Sequence, residues 1–123
     1  MNMKLEVVPL PVTDVERSLA FYVDKVGFHL DHDVQPGNGM RIIQLTPPGS
    51  ACSIVFGTGM GDASAAGSIK NLHLVVDDIV EARKLLDGRG VELSDIQDMG
   101  GVKYVYFADP DGNSWALQQI PSR

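Results

Sequence analysis

A single cysteine, Cys52, stands in the 123 residues, so no disulfide can close within the chain. No apolar run approaches the ~20 residues needed to cross a membrane. The opening "MNMKLEVVPL" lacks the long apolar core of a secretory signal. Positive charge is scarce too: 10 Lys and Arg stand against 16 Asp and Glu, a net charge of −6. Nucleic acid and anionic lipid are bound through clustered Lys and Arg, so neither nucleic acid nor membrane is expected as a partner. A neutral or cationic small molecule suits this charge better. A reducing cytoplasm is the default setting. What the chain does have is 44% hydrophobic residues, enough for one domain of this length to bury a core without disulfides or a structural metal.

Sliding the chain over itself reveals an internal repeat. At an offset of 64, "VTDVERSLAFY" (12–22) lies over "VDDIVEARKLL" (76–86), pairing Asp14 with Asp78. At an offset of 62, "MRIIQLTPPGSACSIVF" (40–56) lies over "VKYVYFADPDGNSWALQ" (102–118), pairing Pro48 with Pro110. Each half reads as β-α-β-β-β. A short strand, "KLEVVPLPV" or "IKNLHLVV", comes first. Asp14 or Asp78 then caps a helix by accepting hydrogen bonds from unpaired backbone N–H groups. Val15, Leu19 and Tyr22, and in the second copy Ile79, Ala82, Leu85 and Leu86, give each helix one apolar side. Gly27 and Gly90 stop the helices, "TPPGS" and "DPDGN" supply turns between later strands, and 36–39 and 57–68 read as loops. The fold class is α+β. One domain is expected, made of two βαβββ modules at about 1–57 and 68–121, each with a mixed sheet.

Alternation along a strand sorts side chains between two faces. Val8, Leu10, Val12, Leu72, Leu74 and Val76 belong under the helices, as do Ile43, Leu45, Val105, Phe107, Val55, Trp115 and Leu117. The opposite face then carries Gln44, Cys52, Phe56, Asn71, His73, Tyr104, Tyr106, Ser114 and Gln118, with Ile54 and Ala116 among them. Apolar and aromatic walls with a few polar handles make a small-molecule cavity. Gln44, Cys52, Phe56, Asn71, Tyr104, Tyr106, Ser114 and Gln118 are the predicted ligand-binding set.

The paired modules, "PVTDVERSLAFYVDKVGF" (11–28) and "FADPDGNSWALQQIP" (107–121) resemble the glyoxalase/bleomycin-resistance/dioxygenase superfamily, also called the vicinal oxygen chelate superfamily. The resemblance spans almost the whole chain. It implies two sheets around a cleft, commonly completed by homodimerisation, and in many members a divalent metal held by His or Glu from the first and last strand of each module. The matching positions here are Val7, Ile54, Asn71 and Ala116. Three of them have no side-chain lone pair to offer and Asn71 alone is a weak ligand, so no metal site and no cofactor are expected.

His73 lies two residues past the vacant third position and is the candidate catalytic residue. Imidazole titrates near neutrality and serves as general acid or base, with Tyr104, Tyr106 or Gln44 available to hold a developing oxyanion. The bland alternative is a histidine hydrogen-bonded to a polar neighbour. His29 and His32 belong to a solvated stretch after the first helix, and Cys52 has no partner that would activate it. Three functions follow in order: a metal-free homodimer that binds a small organic molecule; a metal-independent lyase, isomerase or ring-opening enzyme using His73; and last a metal-dependent lyase or dioxygenase.

Overall fold

The computed structural model describes residues 1–61 and 63–121. Two four-stranded sheets account for the strands. The first module runs β1 (Val7–Pro9), α1 (Val15–Ala20), a π-helical continuation (Phe21–Val26), β2 (His29–Gly37), β3 (Met40–Thr46) and β4 (Ser53–Thr58). The second runs β5 (Leu72–Val75), α2 (Ile79–Gly88), β6 (Gln97–Met99), β7 (Val102–Ala108) and β8 (Ser114–Gln119). The sheets have matching orders, β1-β4-β3-β2 and β5-β8-β7-β6, with the first pair parallel and the others antiparallel. A parallel neighbour needs a crossover. Here the helix and the two following strands provide it.

Local chemistry sets the element ends. Asp14 accepts a hydrogen bond from the Arg17 N–H and Asp78 from the Glu81 N–H, each at 3.1 Å. After Ala20 the helix widens, and the Tyr22 carbonyl accepts from both Gly27 and Phe28 N–H groups. Gly27 ends it in the left-handed region, at φ 92°, which a β-carbon would disfavour. The loop expected at 36–39 is tighter than that: Asn38 and Gly39, both at positive φ, form a two-residue hairpin between β2 and β3. His29 and His32 lie on β2 and are exposed.

The helix-side faces of both sheets feed one continuous core. Phe21, Tyr22 and Phe28 of the first module pack against Phe107 and Trp115 of the second, with ring centroids 5.5–6.4 Å apart. A polar chain runs through this aromatic cluster. Trp115 Nε1–H donates to the Tyr22 hydroxyl at 3.0 Å, and that hydroxyl donates to Asp109 Oδ2 at 2.8 Å. Burial and the adjacent Asp109 carboxylate raise the Tyr22 phenol far above its usual value. The folded protein therefore keeps the Tyr22 proton where the unfolded chain, ionising near pH 10, gives it up. Stability should fall above about pH 10 by up to ~1.4 kcal/mol per pH unit from this group. Denaturant titrations at pH 9 to 11 on wild type and Tyr22→Phe check this, the variant losing that share of the alkaline slope.

The expected faces of three residues are overturned in β4. Phe56 is 1% exposed and lies under the helix, 6.0 Å from the Tyr22 ring; Ile54 joins it in the core, whereas Val55 pairs with Gln44 on the opposite face. The cause is one extra residue. The link between β3 and β4 covers six residues (47–52), that between β7 and β8 five (109–113). An insertion of one reverses every side chain that follows, so Val55, not Ile54, is the mate of Ala116.

Candidate functional site

Opposite the core each sheet has an outer face, and the second module's is aromatic. Register across β5, β8 and β7 sets His73, Ala116 and Tyr106 in one row and Val75, Gln118 and Tyr104 in the next. Neighbours across a strand pair have β-carbons only ~5 Å apart, so Ala116, fully buried between His73 and Tyr106, forms a low floor flanked by two rings. Tyr104 and Tyr106 stand parallel, centroids 6.1 Å apart and planes 4° from each other. That spacing is close to the two-residue repeat of a strand. Gln118 Nε2–H donates to the Tyr104 hydroxyl at 3.1 Å, and His73 meets Tyr104 edge-on at 6.0 Å. His73 Nδ1 lies 2.7 Å from the Asn71 carbonyl. A carbonyl can only accept, so Nδ1 carries the proton and Nε2 of the neutral ring is a bare acceptor.

Asn71 and Ser114 sit at one end of this face. The Asn71 N–H donates to Ser114 Oγ at 2.8 Å, with Asn71 itself at φ 57°. Thus His73, Asn71, Tyr104, Tyr106, Ser114 and Gln118 are brought together as predicted, all on one sheet. Gln44 is on the outer face of the other sheet, beside Val55 and His32. Phe56 is a core residue and leaves the set. Cys52 lies in the turn before β4 rather than on a strand, with Ser50 Oγ donating to its carbonyl at 2.9 Å.

Residues outside the predicted set appear on the first module's outer face. Thr46 Oγ1 donates to Asp31 Oδ2 and shares a 2.6 Å hydrogen bond with Ser53 Oγ. Asp31 occupies a bulge in β2 between the paired Leu30 and His32, which turns its carboxylate toward Thr46. Thr46 has the strand parity of Gln44, a signal that was available in the sequence.

Residues 4–117 match the model of the Glyoxalase/Bleomycin resistance protein/Dioxygenase superfamily. The chain belongs to this superfamily. Its structure is similar to TnmS3, an antibiotic binding protein from Streptomyces sp. CB03234, with 33% identity, TM-score 0.85 and 97% of each chain covered. It is also similar to a glyoxalase/bleomycin resistance protein from the same Streptomyces, with 34% identity and TM-score 0.80 over 94% of this chain and 100% of that one. A superfamily member from Sphaerobacter thermophilus shares 31% identity and TM-score 0.83 over 96% of this chain and 98% of that one. No functionally curated protein matches the chain in sequence.

The superfamily's metal positions, corrected for the longer β3–β4 link, are Val7, Val55, Asn71 and Ala116. Two valines and an alanine offer no lone pair. The remaining amide is turned to Ser114. Among the described residues no three His, Cys, Asp or Glu side chains gather in a way that could hold a metal ion. This donor set does not fit a divalent metal.

Proposed function

We propose that this protein binds a flat, aromatic small molecule of the antibiotic kind on its outer sheet faces, as a cytoplasmic homodimer, using neither metal nor cofactor. The observation that carries this reading is the parallel Tyr104–Tyr106 pair with His73 edge-on beside it, a surface that suits π-stacking. The similar Streptomyces protein TnmS3, an antibiotic binding protein, supports the ligand class. The arrangement of the core supports the dimer. Because both modules turn their helix sides inward, the tyrosine face is half-exposed in one chain, and a second copy's Gln44 face can close over it. The net charge of −6 suits neutral or cationic ligands.

Calorimetric titration with polycyclic aromatic antibiotics should give micromolar or tighter affinity that survives chelator, with no chemical change in the recovered ligand. An aminoglycoside, which has no aromatic plane, should not bind. Affinity lost to chelator, or a consumed ligand, would overturn the proposal. Sedimentation should find a dimer.

A second reading has one observation in its favour. The Asn71 carbonyl fixes the His73 tautomer, as an orienting group does for a general base. On that reading the protein is a metal-independent lyase or isomerase. His73→Gln then abolishes turnover while ligand affinity stays within about threefold, because glutamine retains an acceptor.

A further inference from the structure

The two junctions between the modules are related by the internal repeat, yet they are built differently. Where the Asp109–Asn113 turn meets the first module, rings and hydrogen bonds bridge the two, and the cavity beside β1 is smaller, about 290 Å³, and lies against residues 57–61 instead of the turn. Trp115 packs edge-on to Tyr22 at 5.8 Å. Asp111 Oδ1 accepts from the Thr13 hydroxyl at 2.5 Å, and Asn113 Nδ2–H donates to the Pro11 carbonyl at 3.0 Å. At the matching junction the Pro47–Ser50 turn meets β5 and α2. There Leu86 stands for Tyr22, Ile54 for Trp115 and Pro47 for Asp109. Each replacement removes ring volume or a polar bridge.

What remains is a cavity of about 450 Å³. Phe28, Leu74, Val76, Leu86 and Leu117 line it together with Pro47 and Pro48. Two further lining residues, Val75 and Leu85, are 62% and 55% exposed. Leu85 belongs to the apolar stripe predicted for α2, and here that stripe reaches solvent at the cavity instead of ending in the core. We infer that this cavity is a second binding site, for a small apolar molecule carrying one hydrogen-bond donor. The volume is that of a small-molecule pocket, and apolar surface is left open at its rim. The donor follows from the polar groups. Ser50 Oγ is committed, accepting from the Cys52 N–H at 3.1 Å and donating to its carbonyl. His73, whose Nδ1–H is held by Asn71, has Nε2 left as an acceptor. The site adjoins the tyrosine face at His73 and Val75, and its apolar walls are formed by other residues, Phe28, Leu74, Leu86 and Leu117.

Calorimetric titration of the full chain with 1-adamantanol, an apolar alcohol with no aromatic plane to stack on the tyrosines, tests it. Saturable binding to a single class of site is expected, weakened at least about tenfold by Leu85→Trp, which crowds the rim at little cost to the fold, and by Ala82→Phe, which fills the interior. Tyr106→Ala should stay within about twofold of wild type, since that ring is on the outer face. Adamantanol binding abolished by Tyr106→Ala and indifferent to Leu85→Trp would place the probe on the tyrosine face and overturn the inference. So would the absence of saturable binding to wild type, the result expected if a second copy covers the rim.

Discussion

Replacing Asp109 with alanine should cost the fold about 4 kcal/mol. The carboxylate is 5% exposed and accepts from four donors at 2.8–3.0 Å: the Tyr22 hydroxyl, the Asn113 side-chain amide, and the Asn113 and Asp111 N–H groups. A hydrogen bond to a charged group contributes roughly 1.5–3 kcal/mol, and a buried donor stranded by its removal costs about 1–3. Full additivity would exceed the total stability of an ordinary domain, ~5–15 kcal/mol; the four bonds share one acceptor, and the turn can relax and admit water, which sets the estimate near the lower end. Thermal melting followed by circular dichroism, with urea titration at neutral pH, reads it directly. A fall in melting temperature of roughly 15 °C is expected for a chain of this size. Tyr22→Phe removes one of the four bonds and leaves the Trp115 N–H without its acceptor, so a smaller loss of about 1–2 kcal/mol should result. In the double variant the losses should fall short of their sum, because the two residues share a bond. Equal and additive losses would mean that Asp109 acts only within its own turn.

This staple shows what the sequence could and could not reveal. Tyr22 and Asp109 each sit in a recognisable motif, yet they are 87 positions apart and belong to different modules. Nothing in local spacing says that the hydroxyl of one reaches the carboxylate of the other. The helix caps were legible because they act within three residues, Asp14 on Arg17 and Asp78 on Glu81. The repeat, the order of elements along the chain and the core face of five strands were legible as well, since alternation and helical spacing are local patterns. β4 was misread for a specific reason. Its parity depends on the length of the turn before it, and two turns with the same Pro-Gly signature differ by one residue. Alignment by motif absorbed that difference silently, which exchanged Val55 with its neighbours Ile54 and Phe56.

The outer face of the second module was read well, because β5, β7 and β8 carry no irregularity. Asp31 escaped notice through a bulge. In β2 the register shifts between Leu30 and His32, and simple alternation cannot place a residue there. The internal cavity was equally invisible. It arises from the comparison of two junctions, where leucine and isoleucine stand for tyrosine and tryptophan; the repeat pairs Tyr22 with Leu86, but only the fold shows that Ile54 stands for Trp115.

The aromatic pair that was legible carries the largest functional expectation. Converting both Tyr104 and Tyr106 to alanine should weaken binding of an aromatic ligand by about 100-fold, some 3 kcal/mol. Each ring supplies stacking area and a fixed orientation. The parallel arrangement, with planes 4° apart, means that a ligand plane aligned with one is aligned with the other. The single variants should differ. Tyr106 flanks the Ala116 floor directly across the strand pair, so it should lose more than Tyr104, which stands a row further on beside Gln118. Gln118→Ala should mimic Tyr104→Ala in part, because the amide steadies that ring's hydroxyl. None of these side chains belongs to the buried core, and melting temperatures should change little. Calorimetry on the four variants settles the matter: tight binding that persists without either ring would move the ligand off this face and toward the Asp31, Thr46 and Ser53 cluster of the other sheet.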